Sequence, residues 1–558
     1  MSAADVPIRS RRLRAPREDG AALIDPPVTE AHKLVAANLA LAETWDRASG
    51  LPIAKWRSTA RDRLLHGSAL IHNETAAQDA PVLGRPLIMA GHQPSLFHPG
   101  VWLKSFLLDR IAKEVDGHGI NLIVDYDTVR HAGIRVPTGT LAAPCVVDVP
   151  LDAPAAEMPW EERKIIDVDH FRNFSTRVHE AIDPLLDFRS GGRRLLIDSL
   201  WPRVEAFAID RLRDPIAGGL DLSGPSRRER RLGDCLAQGR HALERSLGLT
   251  TWEANLSWFV GWSCGMHEFL DHLLSRWQEL HPIYNAALRE YRTINHIRSR
   301  NHPVPDLASD GEWLETPLWI WAHPEVQRNR AYVRRVGNHW ELSDRARLRV
   351  SPLGAGGAAR WDEAGFKSMI NVRPRALITT MFARLILSDL FIHGIGGAKY
   401  DELTDVLIRR FFGIEPPAYV TATATFRLPI ARPKVSESDV RAIERRIRDT
   451  RHRPESFVGE LAGNQQRELA QLAAQKKELI AAGWMERQKK AWHDRVTACN
   501  ERMSALLDGV RQKLIHERER QLAALHAADL LGSREFSFVL FPEETLPRAL
   551  LDLCAARP

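Results

Sequence analysis

The sequence predicts an α/β protein with a Rossmann-like parallel-sheet core, helical and small β insertions, and a C-terminal α-helical coiled coil. Two observations carry this prediction. Residues 86–124 follow the order strand, turn, helix, strand, which is typical of a βαβ unit and implies a parallel sheet. Residues 436–530 contain little Gly or Pro and repeat apolar residues every three or four positions between charged flanks, as coiled coils do.

The βαβ unit consists of three local patterns. Residues 86–90 form an apolar run of strand length that Gly91 ends. After Pro99-Gly100, apolar residues recur at helical spacing. A second apolar run at 120–124 ends in Asp125-Tyr126-Asp127, so polar residues follow both predicted strands.

The domain organisation follows from changes in composition along the chain. We expect a disordered basic leader, a core with two insertions, a coiled-coil arm and a strand-like return segment that packs on the core. The predicted bounds are 1–30 for the leader, 31–435 for the core, about 150–300 for the helical insertion, about 311–350 for the β insertion, 436–530 for the arm and 531–558 for the return segment.

The net charge does not favour a nucleic-acid-binding protein. The chain of 558 residues has 77 Lys and Arg against 71 Asp and Glu, a formal charge of +6. The leader and the arm carry most of this excess, so the core is nearly neutral. A duplex-binding groove needs a basic face on the folded domain. A small-molecule cleft is therefore the expected kind of site, and we expect no nucleic-acid partner.

Cysteine usage and hydropathy indicate a cytoplasmic protein. The five Cys are sparse, odd in number and never arranged as Cys-x-x-Cys, as expected for reduced thiols. We expect no membrane association, because no run of about 18 uncharged apolar residues is present. The N-terminus also lacks the apolar segment of a signal peptide.

The first candidate site lies where the first predicted strand leads into a helix. It comprises Gly91, His92, His98, Gly100 and Lys104. In parallel sheets this is the carboxyl edge, where ligands bind, and helix N-terminal amides favour phosphate or carboxylate groups. We expect these residues to bind an anion. The alternative is that the two histidines only cap the turn and that Lys104 is solvated.

The second candidate site is the acidic end of the next strand. Asp125 and Asp127 are two residues apart, so both carboxylates lie on one side of the strand end. They could bind an amine, a hydroxyl group or Mg²⁺; the alternative is an ordinary Asp-rich turn. With His92, His98 and His131 they could also form a metal site, but the spacing matches no metal-binding signature, and we predict no metal ligands.

The third candidate site is a glycine-rich loop with a basic segment before it. Gly394, Gly396 and Gly397 precede a predicted helix and allow close approach of a ligand to the backbone. Lys367 and Arg373 precede the apolar helix that leads into this loop, and they could meet phosphates. The alternatives are a tight turn between buried helices and a polar loop.

In this order, the motifs resemble those of the bacillithiol biosynthesis cysteine-adding enzyme family. The resemblance rests on five parts of the chain, and the similarity in layout covers most of residues 85–558. These parts are Gly91-His92-Gln93, Pro99-Gly100 with Lys104, Asp125-Tyr126-Asp127, the stretch from Arg373-Pro374 through the loop at 393–400, and the arm with its return segment.

The resemblance implies a core related to nucleotidyltransferases and class I aminoacyl-tRNA synthetases. It also implies a site for a nucleotide such as ATP, a homodimer formed through the coiled coil, and a ligase that joins an amino acid to a small amine. On this basis we assign His92, His98, Lys104, Asp125 and Asp127 to the reaction. The nucleotide would be bound by Lys367, Arg373 and the glycines of the first and third sites, which are Gly91, Gly100, Gly394, Gly396 and Gly397. A metal requirement stays undetermined.

Three departures from the family pattern leave other functions open. His92 stands at the place of a Gln, Tyr126 stands in the acidic motif, and Ala398-Lys399 stands where the loop has an acidic residue. The first alternative is a nucleotidyltransferase-like enzyme acting on another small molecule. The second is a non-catalytic binding protein that dimerises through its coiled coil.

Overall fold

The chain folds into a mixed α/β structure with two principal sheets. The computed structural model describes residues 13–71, 83–186, 194–210, 231–257, 266–299, 301–350, 370–483 and 488–555. The strands are β1 (Ala21–Asp25), β2 (Leu87–His92), β3 (His118–Ile123), β4 (Thr128–Val129), β5 (Gly133–Gly139), β6 (Pro144–Pro150), β7 (Met158–Pro159), β8 (Trp252–Asn255), β9 (Ser309–Asp310), β10 (Trp313–Ala322), β11 (Asn329–Val336), β12 (His339–Ser343), β13 (Arg349–Val350), β14 (Ile370–Pro374), β15 (Leu390–His393) and β16 (Tyr419–Thr425).

The helices surround these sheets and form most of the C-terminal part. They are α1 (Ala31–Ala42), α2 (Trp45–Ser49), α3 (Ile53–Ile71), α4 (Pro99–Glu114), α5 (Val168–Arg172), α6 (Phe174–Ile182), α7 (Leu196–Asp210), α8 (Leu232–Ser246), α9 (Met266–Ser275), α10 (Trp277–Ile294), α11 (Ala376–Phe382), α12 (Ile395–Leu407), α13 (Glu437–His452), α14 (Gly463–Ala482), α15 (Lys489–Leu506), α16 (Asp508–Leu531) and α17 (Leu546–Ala555). None of the helices in the described ranges combines the length and hydropathy that a membrane crossing needs.

The central sheet has the strand order β1-β16-β15-β2-β3-β8. From β16 to β8 all neighbouring strands are parallel, which confirms the parallel sheet that the βαβ pattern predicts. The chain passes from β2 to β3 and β8 on one side, then returns to β15 and β16 on the other. The ends of β2 and β15 are therefore neighbours, although about 300 residues separate them in the sequence.

Both faces of this sheet are buried, which explains why its strands are continuous apolar runs. In β2, Leu87 and Met89 contribute to one hydrophobic core, and Ile88 and Ala90 contribute to the other. Helix α4 packs in the second core. The indole of Trp102 lies there against the ring of Phe538, with 4.4 Å between ring centroids.

The second sheet is antiparallel and has the order β13-β12-β11-β10-β14, with β9 beside β10. It contains the predicted β insertion at 311–350. Strand β14, which lies at Ile370–Pro374, extends it beyond that insertion.

Two terminal segments differ from the sequence-based expectation. Residues 21–25, predicted to belong to a disordered leader, form β1, which pairs antiparallel with β16 and completes the edge of the sheet. The return segment packs on the core as expected, but its predicted strand at 536–541 is a 3-10 turn at Phe538–Leu540. All residues from 536 to 541 are buried, so the side chains on both sides of this segment pack in the core.

The C-terminal helices α13 to α16 have a small hydrophobic core of their own. The helices are interrupted at Pro454 and Gly483, as the sequence predicts. Within the chain, this core already buries Met503, Leu507 and Leu514, three residues of the predicted coiled-coil seam.

Replacement of Gly100 should destabilise the fold. A Cβ atom at this position would overlap the carbonyl oxygen of Ala424 and lie 2.8 Å from the hydroxyl of Thr423. Ala favours helices over Gly, but overpacking against backbone costs about 1–3 kcal/mol. We expect Gly100→Ala to lower the free energy of unfolding by this amount in urea denaturation.

Gly396→Ala is the matched control for this substitution. It lies in the first turn of α12, and apart from its chain neighbours and the backbone of its own helix no atom of the described residues lies within 4 Å of the position of its Cβ. We expect it to leave stability unchanged or to raise it by about 0.5–1 kcal/mol. Equal effects of the two substitutions would contradict the close packing of α4 against β16.

Candidate functional site

The carboxyl edge of the parallel sheet brings the three predicted motifs onto adjacent strands. Gly91-His92 ends β2, the acidic motif follows β3, and Gly394 follows β15. A side-chain hydrogen bond joins the first two motifs, because the amide of Gln93 donates to the carboxylate of Asp127 over 2.6 Å.

The start of α4 explains two of the predicted site residues. His98 is the N-cap of this helix, and its Nδ1 accepts a hydrogen bond from the amide of Gly100 over 3.1 Å. Its Nε2 lies 3.7 Å from the carboxylate of Glu535. His98 therefore caps the helix, and the glycine lets α4 approach β16 closely. For His98, these contacts match the alternative that the histidine caps the turn.

A small cavity lies between the ends of β2 and β3 and the first turns of α4. His92 and Lys104 line it together with Asn121 and Arg240, two residues that the sequence analysis did not select. Its volume of about 10 Å³ holds about one water molecule. Asn121 interrupts the apolar run of β3, which is a local signal, whereas nothing local distinguishes Arg240.

Burial keeps His92 neutral and weakens the basicity of Lys104. Nδ1 of His92 is 3.1 Å from the carbonyl oxygen of Gln93, so this nitrogen carries the proton and Nε2 is an acceptor. Burial, with the charge of Lys104 adding to it, lowers the pKa of His92 to about 3. Burial and the charge of Arg240 lower the pKa of Lys104 to about 8.

The two acidic residues differ in their exposure. Asp125 is 2% exposed, and its carboxylate accepts hydrogen bonds from the amide of Ser257, over 2.9 Å, and from the hydroxyl of Ser257. Burial, aided by the charge of Glu161, raises the pKa of Asp125 to about 7. The side chain of Asp127 is 43% exposed and lies 3.2 Å from the guanidinium of Arg328. Only Asp127 is accessible to a ligand.

Of the two basic residues predicted to meet phosphates, Arg373 is buried in an ion pair. It donates two hydrogen bonds to the carboxylate of Glu161, over 3.0 and 2.8 Å. Lys367 lies outside the described residues. Glu161 was not selected from the sequence, because it lies in the predicted helical insertion and reaches the site only through the fold.

The glycine-rich loop presents an open helix start above a buried ion-pair network. Gly394 is the N-cap of α12 without a side-chain capping bond, and the space around Gly394 and Gly396 is open. Below them, Nε2 of His393 lies 2.5 Å from the carboxylate of Asp401, which also pairs with Arg384 over 2.9 Å. This arrangement leaves backbone amides available for an anion at the carboxyl edge.

The described residues contain one group with three possible metal ligands, and it includes none of the His and Asp residues that the sequence analysis considered for a metal site. It consists of His241, Glu244 and Glu253, all buried. Arg240 forms an ion pair with Glu253 and lies 3.5 Å from Glu244, so a cation already neutralises these carboxylates. We interpret the cluster as the support that holds Arg240 at the cavity.

The buried carboxyl of Asp125 should make stability depend on pH. Its folded pKa of about 7 lies above the unfolded value of about 3.9, so the folded state binds the proton more tightly. Its contribution is complete below about pH 4 and is lost as the pH rises through 7, by up to about 1.4 kcal/mol per pH unit. We expect Asp125→Asn to flatten this part of the profile in urea denaturation at pH 4–8.

Ser257→Ala is the control for the Asp125 prediction. It keeps the ionisable carboxyl but removes the hydroxyl hydrogen bond that favours the charged form. The pH dependence should therefore persist and move to higher pH. Burial also raises the pKa of Glu253 to about 7, so the difference between wild type and Asp125→Asn is the relevant quantity. Identical profiles for these two proteins would show that Asp125 does not titrate as described.

Comparison of the chain with models of protein families and with curated proteins finds no match.

Proposed function

We propose that the protein is a ligase-like enzyme that binds ATP at the carboxyl edge of a Rossmann-like sheet. Its reaction would join an amino acid to a small amine. The order of the parallel strands carries this proposal. Counted along the chain, these strands lie in the order 3-2-1-4-5 from β8 to β16. Ligands of such sheets bind where the order reverses, which is between β2 and β15.

The open start of α12 supports a phosphate-binding role at this position. Its first-turn amides have no side-chain cap, and Gly394 and Gly396 leave room for a close approach. The positive end of the helix dipole favours an anion there. The triphosphate of ATP fits this chemistry, and α12 is long enough for its dipole to matter.

The substrate class follows from the resemblance to the bacillithiol cysteine-adding enzymes. A carboxylate oxygen of the amino acid would attack the α-phosphorus of ATP, and pyrophosphate would leave. The bound ammonium would first lose a proton to solvent, and the free amine nitrogen would then attack the activated carbonyl carbon. It would lose a second proton to solvent as AMP leaves. Positioning of the reactants would supply most of the catalysis. Asp127, the accessible carboxylate, is suited to bind the ammonium form of the amine.

A charge reversal at the loop tests nucleotide binding. We expect ATP to bind in isothermal titration calorimetry and Gly396→Asp to weaken this binding at least about tenfold, because its carboxylate would repel the phosphates. Gly396→Asn has nearly the same shape without the charge and should bind ATP more tightly than Gly396→Asp. Absence of ATP binding to the folded wild-type protein would contradict the proposal.

The products distinguish the proposed ligase from the two alternatives. Release of pyrophosphate together with incorporation of cysteine into an aminosugar supports the ligase. Release of pyrophosphate without incorporation of cysteine indicates a nucleotidyltransferase acting on another substrate. A folded protein that binds neither ATP nor cysteine would contradict the ligase and leave the non-catalytic binding protein as the remaining alternative. A cytoplasmic location belongs to the same proposal and rests on the sparse cysteines.

We also propose that α13 to α16 form a coiled-coil arm that pairs two copies of the chain. Because the core of these helices is filled within the chain, pairing would depend on exposed residues such as Leu522, which is 42% exposed. We expect a dimer in sedimentation equilibrium and a monomer for Leu522→Lys. Leu551→Lys is the control, because Leu551 is similarly exposed but lies on α17. A monomeric wild type would contradict the pairing.

A further inference from the structure

We infer that the cavity lined by His92, Lys104, Asn121 and Arg240 binds the carboxylate group of a small molecule. The assignment of this carboxylate to an amino-acid substrate rests on the proposed function, but the binding of a carboxylate does not. The inference starts from hydrogen-bond donors that have no acceptor in the described structure.

Lys104 is a buried cation that lacks a counter-ion. It is 5% exposed, and its ammonium donates to the carbonyl oxygen of Gly91 over 2.7 Å. An ammonium has three donors, and no carboxylate of the described residues lies within ion-pair distance of this one. Leaving a charge buried in this way is costly unless an anion accompanies it.

One further donor at the same cavity is unsatisfied. The side-chain amide nitrogen of Asn121 is buried without a hydrogen-bond partner, and the residue is 8% exposed. Such groups are rare in folded proteins and call for an explanation. Arg240 adds a fixed positive charge to the cavity lining, because its guanidinium is paired with Glu253 and its Nε lies 3.5 Å from the carboxylate of Glu244. An anion in the cavity would accept from Lys104 and Asn121.

The size and lining of the cavity favour a carboxylate over a phosphate. The space holds about one water molecule, and Phe97, Val101 and Ile123 form apolar walls beside the donors. A carboxylate can insert one oxygen while its planar group lies against these walls. A tetrahedral phosphate is bulkier, and its additional oxygens would lie against the apolar walls without hydrogen-bond partners. Among the described residues, no acidic side chain lines the cavity.

The test is the thermal stability of the full-length protein with small probes at constant ionic strength. Acetate should raise the Tm in a concentration-dependent manner, whereas acetamide, its neutral counterpart, should not. Lys104→Met should weaken acetate binding at least about tenfold. Lys113→Met is the control on the same helix, because this lysine pairs with Asp109 at the surface and should leave acetate binding unchanged.

Asn121→Asp provides a second, independent variant. It places a carboxylate of almost the same shape beside Lys104, so the Tm without ligand should rise and the response to acetate should disappear. A lower Tm with an unchanged acetate response would overturn the inference. A response to inorganic phosphate but not to acetate would overturn the choice of carboxylate, and no response to either would overturn the site.

The outcome for this cavity is separable from that for the proposed function. Acetate binding that depends on Lys104 in a protein that does not bind ATP would support the cavity and reject the ligase. ATP binding without any response to acetate would support the proposed nucleotide site and reject the carboxylate site in the cavity. L-cysteine competing with acetate would assign the carboxylate to the amino acid.

Discussion

Burial of the central sheet on both faces is the constraint on which the remaining structure depends. Polar side chains cannot lie along β2 or β15 without a partner, so they concentrate at the strand ends. At the amino edge, the carboxylate of Asp389 accepts from Arg57 and Arg61, each over 2.7 Å, and from the amide of Leu87 over 2.8 Å. This network connects β15 to β2, and both carboxylate oxygens of Asp389 accept hydrogen bonds in it.

The carboxyl edge is arranged differently. Lys104 and Asn121 bring a positive charge and an amide donor to the ends of β2 and β3, and no acidic side chain of the described residues pairs with either of them. The first turn of α12 adds free amides beyond β15. The two edges of the sheet thus differ in how their charged groups are paired. At the amino edge Asp389 is neutralised by Arg57 and Arg61, whereas at the carboxyl edge Lys104 has no acidic partner among the described residues.

Several residues that the sequence assigns to catalysis or nucleotide binding make structural contacts at this edge. His98 caps α4, Asp125 accepts from Ser257, and Arg373 pairs with Glu161. The contacts of Asp125 and Arg373 join segments that are more than 100 residues apart in the chain, whereas that of His98 is local. Of the two predicted carboxylates at this edge, only Asp127 is accessible to a ligand. The sequence motifs therefore predict the position of these residues at the carboxyl edge better than they predict the function of each residue.

The sequence by itself determined the βαβ unit, the parallel sheet, the β insertion and the helix breaks at Pro454 and Gly483. These features depend on periodicity and turn residues within short windows, where local physics decides. Only the tertiary structure decided that residues 21–25 complete the sheet and that Arg240 reaches the cavity. Such contacts join residues more than 100 positions apart. They depend on how the two cores pack, which no local pattern in the chain encodes.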